Sequence, residues 1–165
     1  MRTAAAPVAE AKDVRTTFKR ASRMSNENAN DVVNGFTRQF ETVLNVYGAT
    51  LQRSQQGYSG RGFAIVRAPA SLSFVAKLSQ SHTGFWGLGV NKAAEMIEGR
   101  GEFLVLLRNG EAGYLLNPVR LRAILPTLGT DENGHDYKIQ EAKVRREMRF
   151  RSLGELAELL LPKLA

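Results

Sequence analysis

The sequence predicts an α+β fold: a mixed sheet of about four or five strands, an N-terminal amphipathic helix before it and a C-terminal leucine-rich helix closing it. Three observations carry that expectation. Apolar residues between 31 and 47 recur at three- and four-residue spacing, short apolar runs of strand length occupy 63–67, 72–78 and 103–107, and a leucine stripe fills the stretch from 153 to 160. Ahead of them, residues 1–29 read as a flexible basic arm, and 30–165 as a single α+β globular domain.

The elements follow in order. In the arm, Arg2, Lys12, Arg15, Lys19, Arg20 and Arg23 outnumber Glu10 and Asp13, and the apolar content is too low to offset the entropy of ordering. Asn30 or Asp31 then caps a helix whose inner face is Val32, Val33, Phe36, Phe40, Val43, Leu44 and Tyr47, with Gly48 as its stop. From Arg53 to Gly62 the period is lost and a loop is expected. Strands at Phe63–Arg67 and Leu72–Leu78 are separated by Pro69, which cannot donate to a ladder. The run SQSHTGFWGLG reads as a loop, and Asn91 as the cap of a helix that ends at Gly99. Phe103–Leu107 and Gly113–Leu116 form a hairpin across Asn109-Gly110. Asn117-Pro118 starts a helix with Leu121, Ile124 and Leu125 inward. TDENGHDY is turn-forming, a short strand is expected at Tyr137–Ile139, and the charged stretch from 138 to 151 leans toward helix. Ser152 with Glu155 reads as a capping box for the last helix, which Pro162 follows.

Composition excludes several chemistries. There is no cysteine and there are only two histidines, so thiolate zinc sites, Fe–S clusters, disulfide scaffolds and cysteine nucleophiles are ruled out, and no metal site is expected. No apolar run reaches the ~18 residues that span a bilayer, and no secretory-type segment is evident, so a cytoplasmic protein with no membrane partner is expected. No Gly-x-Ser-x-Gly elbow occurs; the nearest match, Gly57-Tyr58-Ser59-Gly60, lacks the spacing. Twenty-three Lys and Arg against sixteen Asp and Glu give a net charge of +7, which favours a polyanionic partner, DNA or RNA.

The candidate binding residues follow from that charge. Gly84, Gly87 and Gly89 lead into the start of a helix, where free N–H groups with Asn91 and Lys92 suit a phosphate. Trp86, in the same run, either packs in the core or stacks on a base. Lys143, Arg145, Arg146 and Arg149 interleave with apolar residues, and on one helix Lys138, Arg145 and Arg149 would align as a row along a phosphate backbone. Arg61 marks a basic loop.

The stretch SFVAKLSQSHTGFWGLGVNKAAEMI, followed by EFLVLLRNG and AGYLL, resembles the back half of a PD-(D/E)xK, restriction-endonuclease-like core. In that superfamily a strand ends in an acid-x-lysine pair, a helix follows, and two further strands complete the sheet. The resemblance covers about residues 30–117. It implies that Lys77 stands where the family's lysine orients the attacking water, while the acid position two residues earlier holds Val75. The preceding strand ends in Arg67, Ala68 and Pro69, not an aspartate, and Glu41 on the leading helix is the one candidate carboxylate for the sheet face, though its reading as a solvent-exposed helix residue is the stronger. A second match, Asp131 with Glu141-Ala142-Lys143, has the residue types but lies in a turn and a charged segment.

The expectation is therefore a nucleic-acid-binding protein on a nuclease-like, catalytically inactive core, with no cofactor. Arg61, Lys77, Trp86, Asn91, Lys92, Lys143, Arg145, Arg146 and Arg149 are its contacts. Two alternatives stand beside it. One is a Mg²⁺-dependent nuclease using Lys77 and Glu41; the other is an assembly subunit of a nucleoprotein complex, its basic arm on an acidic protein partner.

Overall fold

A computed structural model describes residues 30–53, 61–79, 84–98 and 101–164. The arm expected over 1–29, Gly57, Gly60 and His82 lie outside the described residues. The described part of the first helix, α1, covers residues 30–46. The chain continues through β1 (Thr50–Arg53), β2 (Arg61–Arg67), β3 (Ala70–Leu78), β4 (Phe85–Gly89), α2 (Val90–Glu98), β5 (Phe103–Leu107), β6 (Gly113–Leu116), α3 (Pro118–Ile124), β7 (Gly129–Thr130), β8 (Asp136–Gln140), α4 (Glu141–Val144), β9 (Met148–Phe150) and α5 (Leu153–Leu160).

The α+β class stands, with a mixed main sheet of six strands in the order β1-β2-β3-β5-β6-β9 and a second, three-stranded sheet, β4-β8-β7. Only β3 and β5 run parallel, with Lys77 opposite Leu106; all other neighbours in the main sheet are antiparallel. A parallel pair needs a crossover. Here β4 and α2 supply it, and the sequence of β3, helix, β5 and β6 is the order the resemblance implies.

Both faces of the main sheet are covered. On one, α1 and α5 bury Phe36, Phe40, Leu44, Leu153, Leu156 and Leu160 against Phe63, Phe74, Val105, Leu115 and Phe150. Four phenylalanines interlock there, with Phe36 stacked on Phe40 at 5.4 Å and Phe63 on Phe74 at 5.2 Å. On the other face, α2, α3 and the small sheet bury Trp86, Leu88, Met96, Leu121 and Ile139 against Val75, Leu104, Leu106, Tyr114 and Leu116. This alternation along β3 sends Val75 and Lys77 to the second face while Phe74 and Ala76 go to the first.

Local signals account for the helix ends. Asn117 accepts a bond from the Arg120 amide at 2.8 Å, with Pro118 in the first turn, as expected. Ser152 accepts from the Glu155 amide at 3.1 Å, but the Glu155 carboxylate turns back to the Arg151 amide at 2.7 Å, one residue before the cap. Tyr47 was expected on the inner face of α1 and is exposed, because the helix has already closed: Gly48 takes φ +73° and Ala49 donates to the Leu44 carbonyl.

Four expectations change. The loop expected from Arg53 to Gly62 is flanked by strand on both sides, with β1 pairing β2 from Thr50 to Arg53. GFWGLG holds strand β4 rather than loop alone, its Trp86 and Leu88 buried between outward Phe85, Gly87 and Gly89. The helix after it begins at Val90, so Asn91 stands within the first turn instead of capping it. The stretch 138–151 is not one helix but β8, α4 and β9 in succession, so Lys138, Arg145 and Arg149 form no helical row.

Candidate nucleic-acid interface

Lys77 sits in the middle of the sheet. The register sets Lys77, Leu106, Tyr114 and Arg149 side by side across β3, β5, β6 and β9, a row that starts and ends in a cation. Burial pushes the Lys77 ammonium below the usual lysine range; Asp136 on β8 pulls it back up, and Lys92 on α2 adds to the lowering. Lys92 is itself engaged, 3.6 Å from Glu102 and 3.8 Å from Glu95, which reduces what it offers a phosphate.

The acid positions around Lys77 are empty of carboxylates for a register reason. Because β2 and β3 are antiparallel, the β2 residue beside Val75 is Gly62 at the start of the strand, not Arg67 at its end. Val75 is 0% exposed within the apolar cluster, and its other neighbour is Leu104. Glu41 is exposed on the outer side of α1, the stronger of the two readings its sequence allows, and Phe40 and Leu44 take the inward positions. The Asp131 and Glu141 pair fails on distance, since all five residues of β8 lie between them, ~17 Å of strand. Asp131 instead accepts the His135 and Asp136 amides at 2.7 and 3.3 Å. Mg²⁺ needs convergent oxygen ligands. The residues beside Lys77 do not fit it, and among the described residues no group of three His, Asp or Glu converges to hold a metal.

A second polar cluster lies at the far end of the row. The Tyr114 hydroxyl donates to Glu141 at 2.8 Å, and the other Glu141 oxygen is 3.4 Å from the Arg108 guanidinium. Burial, this bond and the carboxylate's charge push the Tyr114 phenol up, while Arg149 and Arg145 pull it down. Gly84 is required beside Glu141, because it takes φ +71° and any Cβ would strike that carboxylate. Gly84, Phe85, Gln140, Glu141, Ala142 and Arg145 line a groove of about 270 Å³.

The remaining candidates divide by exposure. Lys143, Arg145, Arg146 and Arg149 are exposed and make no ion pair among the described residues. Arg61 opens β2 opposite Ala76, and Asn91 is exposed. Trp86 leaves the surface candidates: it is 0% exposed, packs edge-on to Tyr114 at 6.1 Å and donates its indole N–H to the Leu107 carbonyl at 3.0 Å.

The Holliday junction resolvase Hjc of the archaeal hyperthermophile Archaeoglobus fulgidus is similar to this chain with a TM-score of 0.45 and 13% sequence identity, over 73% of this chain and 98% of that one. No family model matches the sequence. No curated protein matches it. Among the described residues, no helix is long and apolar enough to cross a membrane.

Sequence reasoning missed Glu141 and Tyr114 as partners, because they lie 27 residues apart and meet only when β8 delivers α4 onto β6. It also missed Asp136 as the acid that bears on Lys77, and for the same reason: the signal is a pairing, not a motif.

Proposed function

We propose that this protein binds nucleic acid through the stretch β8-α4-β9 and that its nuclease-like core does not cut. One observation carries the reading: Lys138, Lys143, Arg145, Arg146 and Arg149 are all exposed along that stretch without an ion pair among the described residues, so their charge is left for an external polyanion. Arg145 and Arg149 come from different elements yet both act on Tyr114, so two of the five cations converge. The inactive core is supported by the position two residues before Lys77, where Val75 is flanked in register by Gly62 and Leu104 and none of the three bears an oxygen ligand for a metal.

The test is fluorescence anisotropy with a labelled DNA duplex at low salt. The double variant Arg145→Ala, Arg149→Ala weakens binding about tenfold or more, on the scale of two lost phosphate contacts. Arg38→Ala, on the exposed side of α1, leaves it within about twofold. Equal loss from both variants, or from neither, contradicts the reading.

A further inference from the structure

We propose that the outer face of the small sheet β4-β8-β7 holds unpaired nucleotides of a single strand, stacking a base on Phe85 and holding phosphate with Lys138 and Arg145. This rests on the nucleic-acid reading above and names the form of the ligand.

The argument begins with alternation. In β4 and β8, Trp86, Leu88 and Ile139 point to the core, so Phe85, Gln140 and Lys138 point outward on one face. Phe85 faces Gln140 directly across the strands, and Lys138 stands between Gly87 on one side and Gly129 on the other. Space above Gly129 is open, with nothing within 4 Å of where its Cβ would be. The face thus carries one ring, one amide and one cation, with the Asp136 carboxylate at its far end, and Arg145 reaches the groove beside Phe85 from beyond α4.

Each group has a use for an unpaired nucleotide. Phe85 is half-buried at the groove wall, in contrast to fully buried Trp86 beside it. A half-buried ring is fixed by packing and still offers a face for stacking. Gln140 carries both a donor and an acceptor within reach of a base edge. A duplex hides its base faces inside the stack, whereas an unpaired strand can splay a base onto an aromatic ring. The groove, about 270 Å³, is below the range of pockets for drug-sized ligands and suits a single ring system. At the Phe85 end both Glu141 oxygens are engaged by Tyr114 and Arg108; the acids on the Lys138 side are Asp136, opposite Gly89, and Asp131, whose carboxylate Lys138 stabilises while its oxygen accepts the His135 and Asp136 amides.

The experiment is anisotropy of the full chain with single-stranded DNA, single-stranded RNA and duplex DNA of equal length. Phe85→Ala weakens single-strand binding about tenfold, while duplex binding changes less than about twofold; Phe85→Tyr keeps the ring and restores single-strand affinity. Gln140→Ala, on an exposed residue outside the five cations, repeats the selective loss to a smaller degree. RNA and DNA arms that differ identify which sugar the face accepts, and binding of either supports the proposal. Single-strand affinity unchanged in Phe85→Ala and Gln140→Ala, or lost equally with duplex affinity, overturns it. Wild-type protein that binds duplex alone overturns this inference and leaves the broader reading standing; wild-type protein that binds no nucleic acid removes both.

Discussion

At the scale of single residues, Lys77 and Trp86 show how environment decides what a side chain does. Both were legible as notable, one by its place after Val75 and the other as the only tryptophan. Their surroundings were not, because they are set by strands distant in sequence: β5 and β6, and β8, whose residues lie fifty or more positions downstream. Trp86 should therefore report on the core: its emission is expected to be blue-shifted, resistant to acrylamide and unchanged when nucleic acid is added, and strong quenching by an oligonucleotide would contradict its burial. Lys77 is held below its ordinary pKa mainly by burial, so the folded state binds its proton less tightly than the unfolded state does. Stability from this group is thus present above about pH 10.4 and lost as pH falls through the lowered folded value. Lys77→Met removes that cost. We expect a higher melting temperature for the variant at pH 7, with the gap closing as pH approaches 10.4, and a gap that widens with pH would refute the sign.

At the scale of elements, helices and the central strands were readable because their apolar period and caps are local. Asn117-Pro118 and Ser152 bond where a cap should bond. β4 was obscured by Gly84, Gly87 and Gly89, residues that disfavour strands, and it forms because β8 pairs with it along its whole length. The charged stretch 138–151 misled in the opposite direction: its spacing suits a helix, yet the chain must cross from the small sheet to the edge of the main one, and it breaks into β8, α4 and β9. The close approach of β5 and β6 gives a sharp test. A Cβ on Gly113 would strike the Leu106 carbonyl in the facing strand, whereas one on Gly129 would meet nothing within 4 Å. Gly113→Ala is expected to cost about 4 kcal/mol or to prevent folding, among the largest single-residue effects, and Gly129→Ala to leave chemical denaturation nearly unchanged. Equal stability of the two would mean that β5 and β6 are not packed as described.

At the scale of the whole molecule, the net charge of +7 said which kind of partner to expect but not where it would sit. Folding sorts the cations. Lys92, Arg108 and Arg120 are matched by Glu102, Glu141 and Glu147, while the five along β8-α4-β9 are left without ion pairs among the described residues. The same folding fills the position two residues before Lys77 with the buried side chain of Val75. The most direct measurement is a salt titration of duplex binding in the presence of Mg²⁺, with strand integrity followed in the same samples. Five phosphate contacts give a slope of log affinity against log salt of about −4.5, with the DNA intact throughout. A slope near zero, or cleavage that requires Mg²⁺, would contradict the account.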